Sequence, residues 1–200
     1  VWPIFNSELN ITMETPNQSN RNTNIQINLP EDYFYSKADR DSISIEYKVV
    51  KDNCVVKLNG STEFSDDEAE THRLNCERAN MYKNYYTYLY GLPMKLKDPG
   101  THLSETVEKK QFKGEDYLVL KVTYDEAVGT DIWYFYFNPE TYAMEIYQFY
   151  RQDEQGNQKN DTGEYILLSE EVIVNDIKMP KVRAWYYNKD DKYLGTDILN

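Results

Sequence analysis

Cysteine and histidine are scarce in this 200-residue chain, with two of each. Cys54 and Cys76 are too few for a disulfide framework and the wrong number for a four-ligand zinc cluster. Two readings of them stay open. A single bridge would close a modest loop and is compatible with export; two separately buried thiols are the alternative. His72 and His102 stand in no His-Glu-x-x-His motif, and Gly-x-Ser-x-Gly is missing. Phosphate loops and dinucleotide fingerprints are missing too, so no cofactor is expected. No apolar run approaches the roughly 20 residues of a membrane span. Basic clusters are also lacking. Lys and Arg number 22 against 34 Asp and Glu, the net charge is −12, and the basic residues are scattered. That argues against nucleic acid as a partner, because phosphate contacts need clustered Lys and Arg. Internal repeats, heptads and low-complexity linkers are not found. The chain starts on Val1 with neither Met nor signal segment, and so reads as a mature or trimmed chain.

What the chain has in quantity is tyrosine, nineteen residues in all. Each brings a large apolar body and one polar tip that must reach water or a partner. Such a composition suits sheets with half-wet faces better than a dry helical core.

The first 60 residues alternate. Leu9, Ile11 and Met13 share one face of SELNITMET. Ile25, Ile27 and Leu29 share one face of NIQINLP, and Ile43, Ile45, Tyr47 and Val49 do the same in SISIEYKVV. Period two means strands with one buried face. The connectors NQSNRN, SKADRD and KDN are short and polar, which implies antiparallel neighbours. The period then changes. Ser65-Asp66-Asp67-Glu68 is a capping-box pattern with acidic residues suited to the helix dipole. No Gly or Pro interrupts from there to Tyr90. Tyr82, Tyr85, Tyr86 and Leu89 fall at i, i+3, i+4 and i+7, one helical face, and Gly91 and Pro93 end the run. The segment reads as one long helix, or as two with a bend near residues 75 to 80. After Asp98-Pro99-Gly100 the chain returns to strands, among them 117–124, 131–137, 143–150, 165–168, 171–174, 182–187 and 193–199.

Strands, helical insert, strands: this order predicts an α+β fold, one large curved antiparallel sheet with the helix on its concave face. A single domain spanning 1–200 is expected, with strands over 1–60, a helical lid over 65–92 and strands over 101–200. An incomplete cover would leave an apolar pocket between helix and sheet.

Three phrases carry a family resemblance: YYTYLYGLPMKLKDPGTH (85–102), GEDYLVLKVTYDEAVGTDIWYFYFNPET (114–141) and VRAWYYNKDDKYLGTDIL (182–199). They resemble an uncharacterised family of Bacteroidetes envelope proteins, a domain of unknown function often made as lipoproteins. Its Gly-Leu-Pro-x-Lys-Leu-x-Asp-Pro-Gly phrase matches Gly91, Leu92, Pro93, Lys95, Leu96, Asp98, Pro99 and Gly100, and its Tyr-Phe-Asn-Pro-Glu-Thr hairpin matches Tyr136 to Thr141. The family is similar in architecture to periplasmic lipoprotein carriers, whose incomplete β-barrel is lidded by helices and holds acyl chains. The resemblance implies a periplasmic or outer-membrane-anchored protein, joined to a membrane only through a lipid anchor outside this chain. It also implies a signal sequence and a short first helix ahead of a strand containing Trp2.

Candidate chemistry is sparse. Asp98 and His102 could meet across a turn, the only arrangement suggesting a weak hydrolase. Acidic pairs for glycoside chemistry are abundant (Asp125, Glu126, Asp131, Glu170, Glu171), but 34 acids make chance pairs certain. DEQGNQKND (153–161) lacks EF-hand spacing, so no metal site is expected. The aromatics remain. Trp133, Phe135 and Phe137 share one side of their strand, Ile132, Tyr134 and Tyr136 the other. The candidate pocket residues are therefore Tyr82, Tyr85, Tyr86, Leu89, Leu92, Trp133, Phe135 and Phe137, lining a site for a lipid or other amphipathic ligand. No residue is assigned a catalytic role. A carbohydrate- or peptide-binding module on sheet-face tyrosines is the rival reading.

Overall fold

The computed structural model describes residues 2–200. Five strands come first: β1 (Asn6–Glu14), β2 (Arg21–Asn28), β3 (Tyr33–Arg40), β4 (Ile43–Val50) and β5 (Asn53–Leu58). Two helices follow, α1 (Asp66–His72) and α2 (Cys76–Gly91). The chain ends in β6 (Thr101–Phe112), β7 (Glu115–Tyr124), β8 (Ile132–Phe137), β9 (Met144–Tyr150), β10 (Glu164–Val174), β11 (Ile177–Tyr187) and β12 (Tyr193–Leu199). Among the described residues the strands form one twelve-stranded antiparallel sheet in the order β5-β4-β3-β2-β1-β12-β11-β10-β9-β8-β7-β6. The sheet is open, with β5 and β6 at its edges, and carries one helical insertion, the α+β class expected. The chain gathers into two compact units, residues 1–92, 171–181 and 197–200 in the first, and 93–170 and 182–196 in the second.

In the first unit the strand register brings one apolar face together. Leu9 lies opposite Ile25, Ile27 opposite Phe34, and Phe34 opposite Val49, all buried. α2 packs on β4 and β5 and buries Ala79, Tyr86, Leu89 and Tyr90. Each large side chain so buried contributes roughly 1.5–3 kcal/mol, so tertiary packing holds α2. α1 is different: it buries no side chain. Its hold is local. Ser65 Oγ accepts the Glu68 amide while the Glu68 carboxylate accepts the Ser65 amide at 2.8 Å, the capping box expected. Ser65→Ala should therefore cost about 1 kcal/mol, confined to α1. Hydrogen exchange should rise at residues 66–72 and stay unchanged in α2.

Two local readings are corrected and one open alternative is resolved. SKADRD is no connector; Ser36 to Arg40 belong to β3. Its inward positions after Phe34 are Ser36 and Ala38, too small and polar to show an apolar alternation. Of the two helical readings, the structure has the second, two helices with the break at Arg73 to Asn75. Arg73 adopts a left-handed conformation (φ 55°), and Asn75 caps α2 by accepting the Arg78 amide at 2.7 Å. Trp2 lies in a 3-10 turn, Trp2–Ile4, ahead of β1, where its ring packs 4.7 Å from that of Phe5.

In the second unit both faces of the sheet are aromatic. On one, the Trp133 ring lies 4.9 Å from Phe149 and 5.9 Å from Phe135, and Tyr147 meets Trp185 edge-on at 6.4 Å. On the other, Val119, Tyr136, Ile146 and Tyr165 form a buried cluster flanked by Phe112, Tyr117, Tyr134 and Tyr186. The polar tips find partners, as buried phenols require. Tyr136 donates to Gln148 Oε1 at 2.5 Å and Tyr134 to Gln158 Oε1 at 2.7 Å.

Candidate functional site: a cavity at the helix–sheet seam

The first unit holds a cavity of about 190 Å³ between its helices and sheet. Strand alternation explains it. Thr23, Ala38 and Ile45 lie abreast on β2, β3 and β4, with Ser36 opposite Tyr47 one step along. Ser36 and Ala38 are too short to fill the space beneath the helices, and the room they leave is the cavity. From above, Thr71 and His72 of α1, Arg73 of the break, and Arg78, Tyr82 and Tyr86 of α2 close it. Arg21, at the start of β2, completes the wall.

The aromatic rings form a continuous lining. Tyr47 lies 5.6 Å from Tyr82, Tyr82 stacks on Tyr86 at 5.8 Å, and Tyr86 stacks on Phe34 at 6.3 Å. The polar tips are placed deliberately. Tyr47 donates to the Arg73 carbonyl at 3.2 Å, tying sheet to helix break. Arg78 lies over the Tyr82 ring at 4.7 Å and donates to its hydroxyl at 3.2 Å. Burial pushes the Tyr47 phenol up to about 12 and the Tyr86 phenol up as well. Both are therefore neutral at physiological pH. Burial works against the charge of Arg21; the Tyr86 and Tyr82 phenols and the Asp197 carboxylate favour it, and the net shift is upward. Its Nε is buried without a hydrogen-bond partner.

The eight pocket candidates separate. Tyr82 and Tyr86 stand in the cavity wall. Tyr85 is half-buried, its ring edge-on to Tyr86 at 5.0 Å. Leu89 and Leu92 are buried in packing away from the lining. Trp133, Phe135 and Phe137 belong to β8 in the second unit. There Phe135 is fully buried opposite Tyr147, and Phe137 pairs with Leu118 and Met144. The arginines and the small residues of β3 were not anticipated from sequence. Arg21, Arg73 and Arg78 look scattered along the chain and meet only in the fold.

A family model described as a family of unknown function, DUF6503, matches residues 1–199. The chain belongs to this family. Among solved structures it is similar to a LolA superfamily protein from Nitrosomonas europaea, with 10% identity, a TM-score of 0.51, and coverage of 99% of this chain and 85% of that one. A DUF1329 family protein from Desulfovibrio piger aligns at 9% identity and a TM-score of 0.46, over 98% and 82% of the two chains. No curated protein matches. At 10% identity the likeness to the LolA superfamily protein is one of fold, and it agrees with the carrier-like architecture that the family resemblance implied.

Other candidate chemistry resolves differently from expectation. Asp98 does not meet His102: Asp98 pairs with Lys95, and His102 Nε2 lies 2.6 Å from Asp125 Oδ1, both side chains well exposed. The β6–β7 register places His102 opposite Thr123, which carries it to Asp125. Asp153 turns its carboxylate inward to accept the Gln155 and Asn157 amides, and these hydrogen bonds, that from Asn157 first, hold its pKa down. Glu126, Asp131 and Asp153 border an open polar hollow of about 560 Å³ in the second unit, with Arg151 among them. Burial pushes the Asp131 carboxyl up, and Arg151 partly offsets that. Glu171 pairs with Lys178 at 2.8 Å. No helix among the described residues is long and apolar enough to cross a membrane.

Proposed function

We propose that this is a non-enzymatic cell-envelope protein that takes a hydrophobic or amphipathic ligand between the sheet and helices of its first unit. The observation that carries the reading is the seam cavity, ring-lined and bordered by the short residues Ser36 and Ala38. Its volume sets the mode of binding. About 190 Å³ exceeds the ~150 Å³ that holds a benzene but falls short of the ~300 Å³ where pockets for larger ligands begin. A headgroup or a short tail fits as it stands; a full acyl chain requires α1 to swing. α1 is suited to that, because it buries nothing, whereas α2 is packed and tethered. The fold shared with a LolA superfamily protein and the family resemblance to lipoprotein carriers support the same reading. So does the disulfide between Cys54 of β5 and Cys76 of α2, since such bonds persist in an oxidising compartment such as the periplasm.

The rival reading, a saccharide or peptide held on sheet-face tyrosines, is less favoured. In the second unit Tyr165 stacks on Tyr186 at 5.0 Å, and Tyr165 is only 2% exposed, so these rings serve each other first.

Solvent extraction of the purified protein with mass spectrometry should release a stoichiometric lipid. An apolar dye should be taken up by the emptied protein. Ala38→Leu, which fills the cavity from the sheet side, should abolish dye uptake with little change in melting temperature. A clean extract together with no dye uptake by the unaltered chain would sink the proposal.

A further inference from the structure

The cavity is more selective than an apolar seam needs to be. The chain carries 34 acidic residues and only six arginines. Yet Arg21, Arg73 and Arg78 all line this one cavity, and no carboxylate does. Some lysines pair with acids, as Lys83 with Asp32 and Lys113 with Asp191. Among the described residues none of these three arginines has a carboxylate within ion-pair distance. Asp197 supports the charge of Arg21 from nearby, and is itself buried.

The three are positioned differently. Arg21 is half-buried on the strand side with an unpartnered Nε–H. Arg78 is aimed by Tyr82, which its guanidinium both overlies and bonds. Arg73 is exposed, with its backbone carbonyl fixed by Tyr47, so it borders the cavity on the solvent side. A buried guanidinium N–H left unpartnered in a half-enclosed, ring-lined space, as at Arg21 Nε, is costly unless something satisfies it. Guanidinium is also the side chain whose planar fork matches carboxylate and phosphate oxygens.

We infer that the seam cavity recognises an oxyanion, the carboxylate or phosphate head of an amphipathic ligand, through Arg21, Arg73 and Arg78, with the Tyr47, Tyr82 and Tyr86 rings against the apolar part. This rests on the carrier reading above and adds the chemical class of the head. Free inorganic phosphate presents the same oxygens, so the test must separate head from tail.

Titration calorimetry on the delipidated protein uses octanoate, octyl phosphate, octanol and inorganic phosphate, at low and high salt. The two tailed anions should bind about tenfold or more tighter than octanol, as charge-assisted hydrogen bonds in a partly desolvated site require. Raising the salt should narrow that gap. Arg21→Gln/Arg78→Gln should erase the gap between the tailed anions and octanol. If the doubly substituted protein melts early, Arg73→Gln, on an exposed residue, should still narrow the gap by a few fold. Equal affinity for octanol and octanoate in the unaltered protein would overturn the inference and leave the carrier reading standing. Inorganic phosphate binding as tightly as octyl phosphate would overturn the amphipathic ligand and the carrier reading together. No heat with any probe would overturn the inference, and dye uptake by the same preparation would then decide the carrier reading separately.

Discussion

Replacing Cys54 and Cys76 with serine should lower the stability of the protein by about 3 kcal/mol and loosen the cavity at the same time. The two cysteines, left open between a bridge and separate thiols in the sequence, are bonded in the structure, with Cα atoms 5.8 Å apart and a sequence separation of 22. Closing a loop of that length removes roughly 3 kcal/mol of chain entropy from the unfolded state. In a chain of this size that corresponds to a fall of about 6–12 °C in melting temperature. The bond also has a local task. It joins Cys54 of β5 to Cys76, the first residue of α2, two positions before Arg78 and six before Tyr82. The helical wall of the cavity is therefore stapled to the sheet at the end where the ligand's head is proposed to sit. Cys76 is exposed and Cys54 half-exposed, so a thiol reductant should reach the bond and reproduce the substituted protein's melting curve. Oxyanion affinity should fall in parallel. If neither reductant nor substitution moves the melting temperature, the bond does not form in solution.

Where the sequence was legible and where it was not follows from what each residue touches. The alternation in NIQINLP and SISIEYKVV marked β2 and β4 because both present large apolar side chains to one buried face. The capping box at Ser65 was legible because its partners lie three residues apart. β3 was missed for the reason that makes it important: inward-facing Ser36 and Ala38 carry no hydrophobic signal, and their smallness opens the cavity. β6 was not singled out because it is the edge strand with no fully buried residue, and THLSETVEKKQF shows no apolar alternation. The tyrosine stripe of α2 was legible as a face but not in depth. Tyr86 and Leu89 are buried, while Tyr82 and Tyr85 are only half-covered, since the cavity lies beneath part of the helix. The arginines could not be grouped at all. Positions 21, 73 and 78 are brought together by a strand start and a helix break, a coincidence of topology that no periodicity encodes.

Gly163→Ala should be the most damaging single substitution proposed, costing about 4 kcal/mol or more, the upper end for point changes. Gly163 precedes β10 with φ 73°, and an added Cβ would lie 1.9 Å from the Phe149 carbonyl oxygen and 3.1 Å from the Tyr150 Cα. These are backbone atoms of β9 and cannot rotate away. They are also pinned. Asn188 donates from its side-chain amide to the Phe149 and Thr162 carbonyls, each at 2.9 Å, while its own backbone N–H donates to the Gly163 carbonyl at 3.2 Å. Its Oδ1 accepts from buried Gln148 at 2.8 Å, so relief at residue 163 would have to break this network too. The left-handed conformation alone costs a non-glycine residue about 1–2 kcal/mol. Gly114→Ala isolates that part, because Gly114 has φ 94° and nothing within 4 Å of an added Cβ. In urea unfolding Gly114→Ala should shift the midpoint slightly, and Gly163→Ala should shift it severalfold more or prevent folding. Equal midpoints would mean that the chain does not cross β9 at Gly163 as closely as the structure places it.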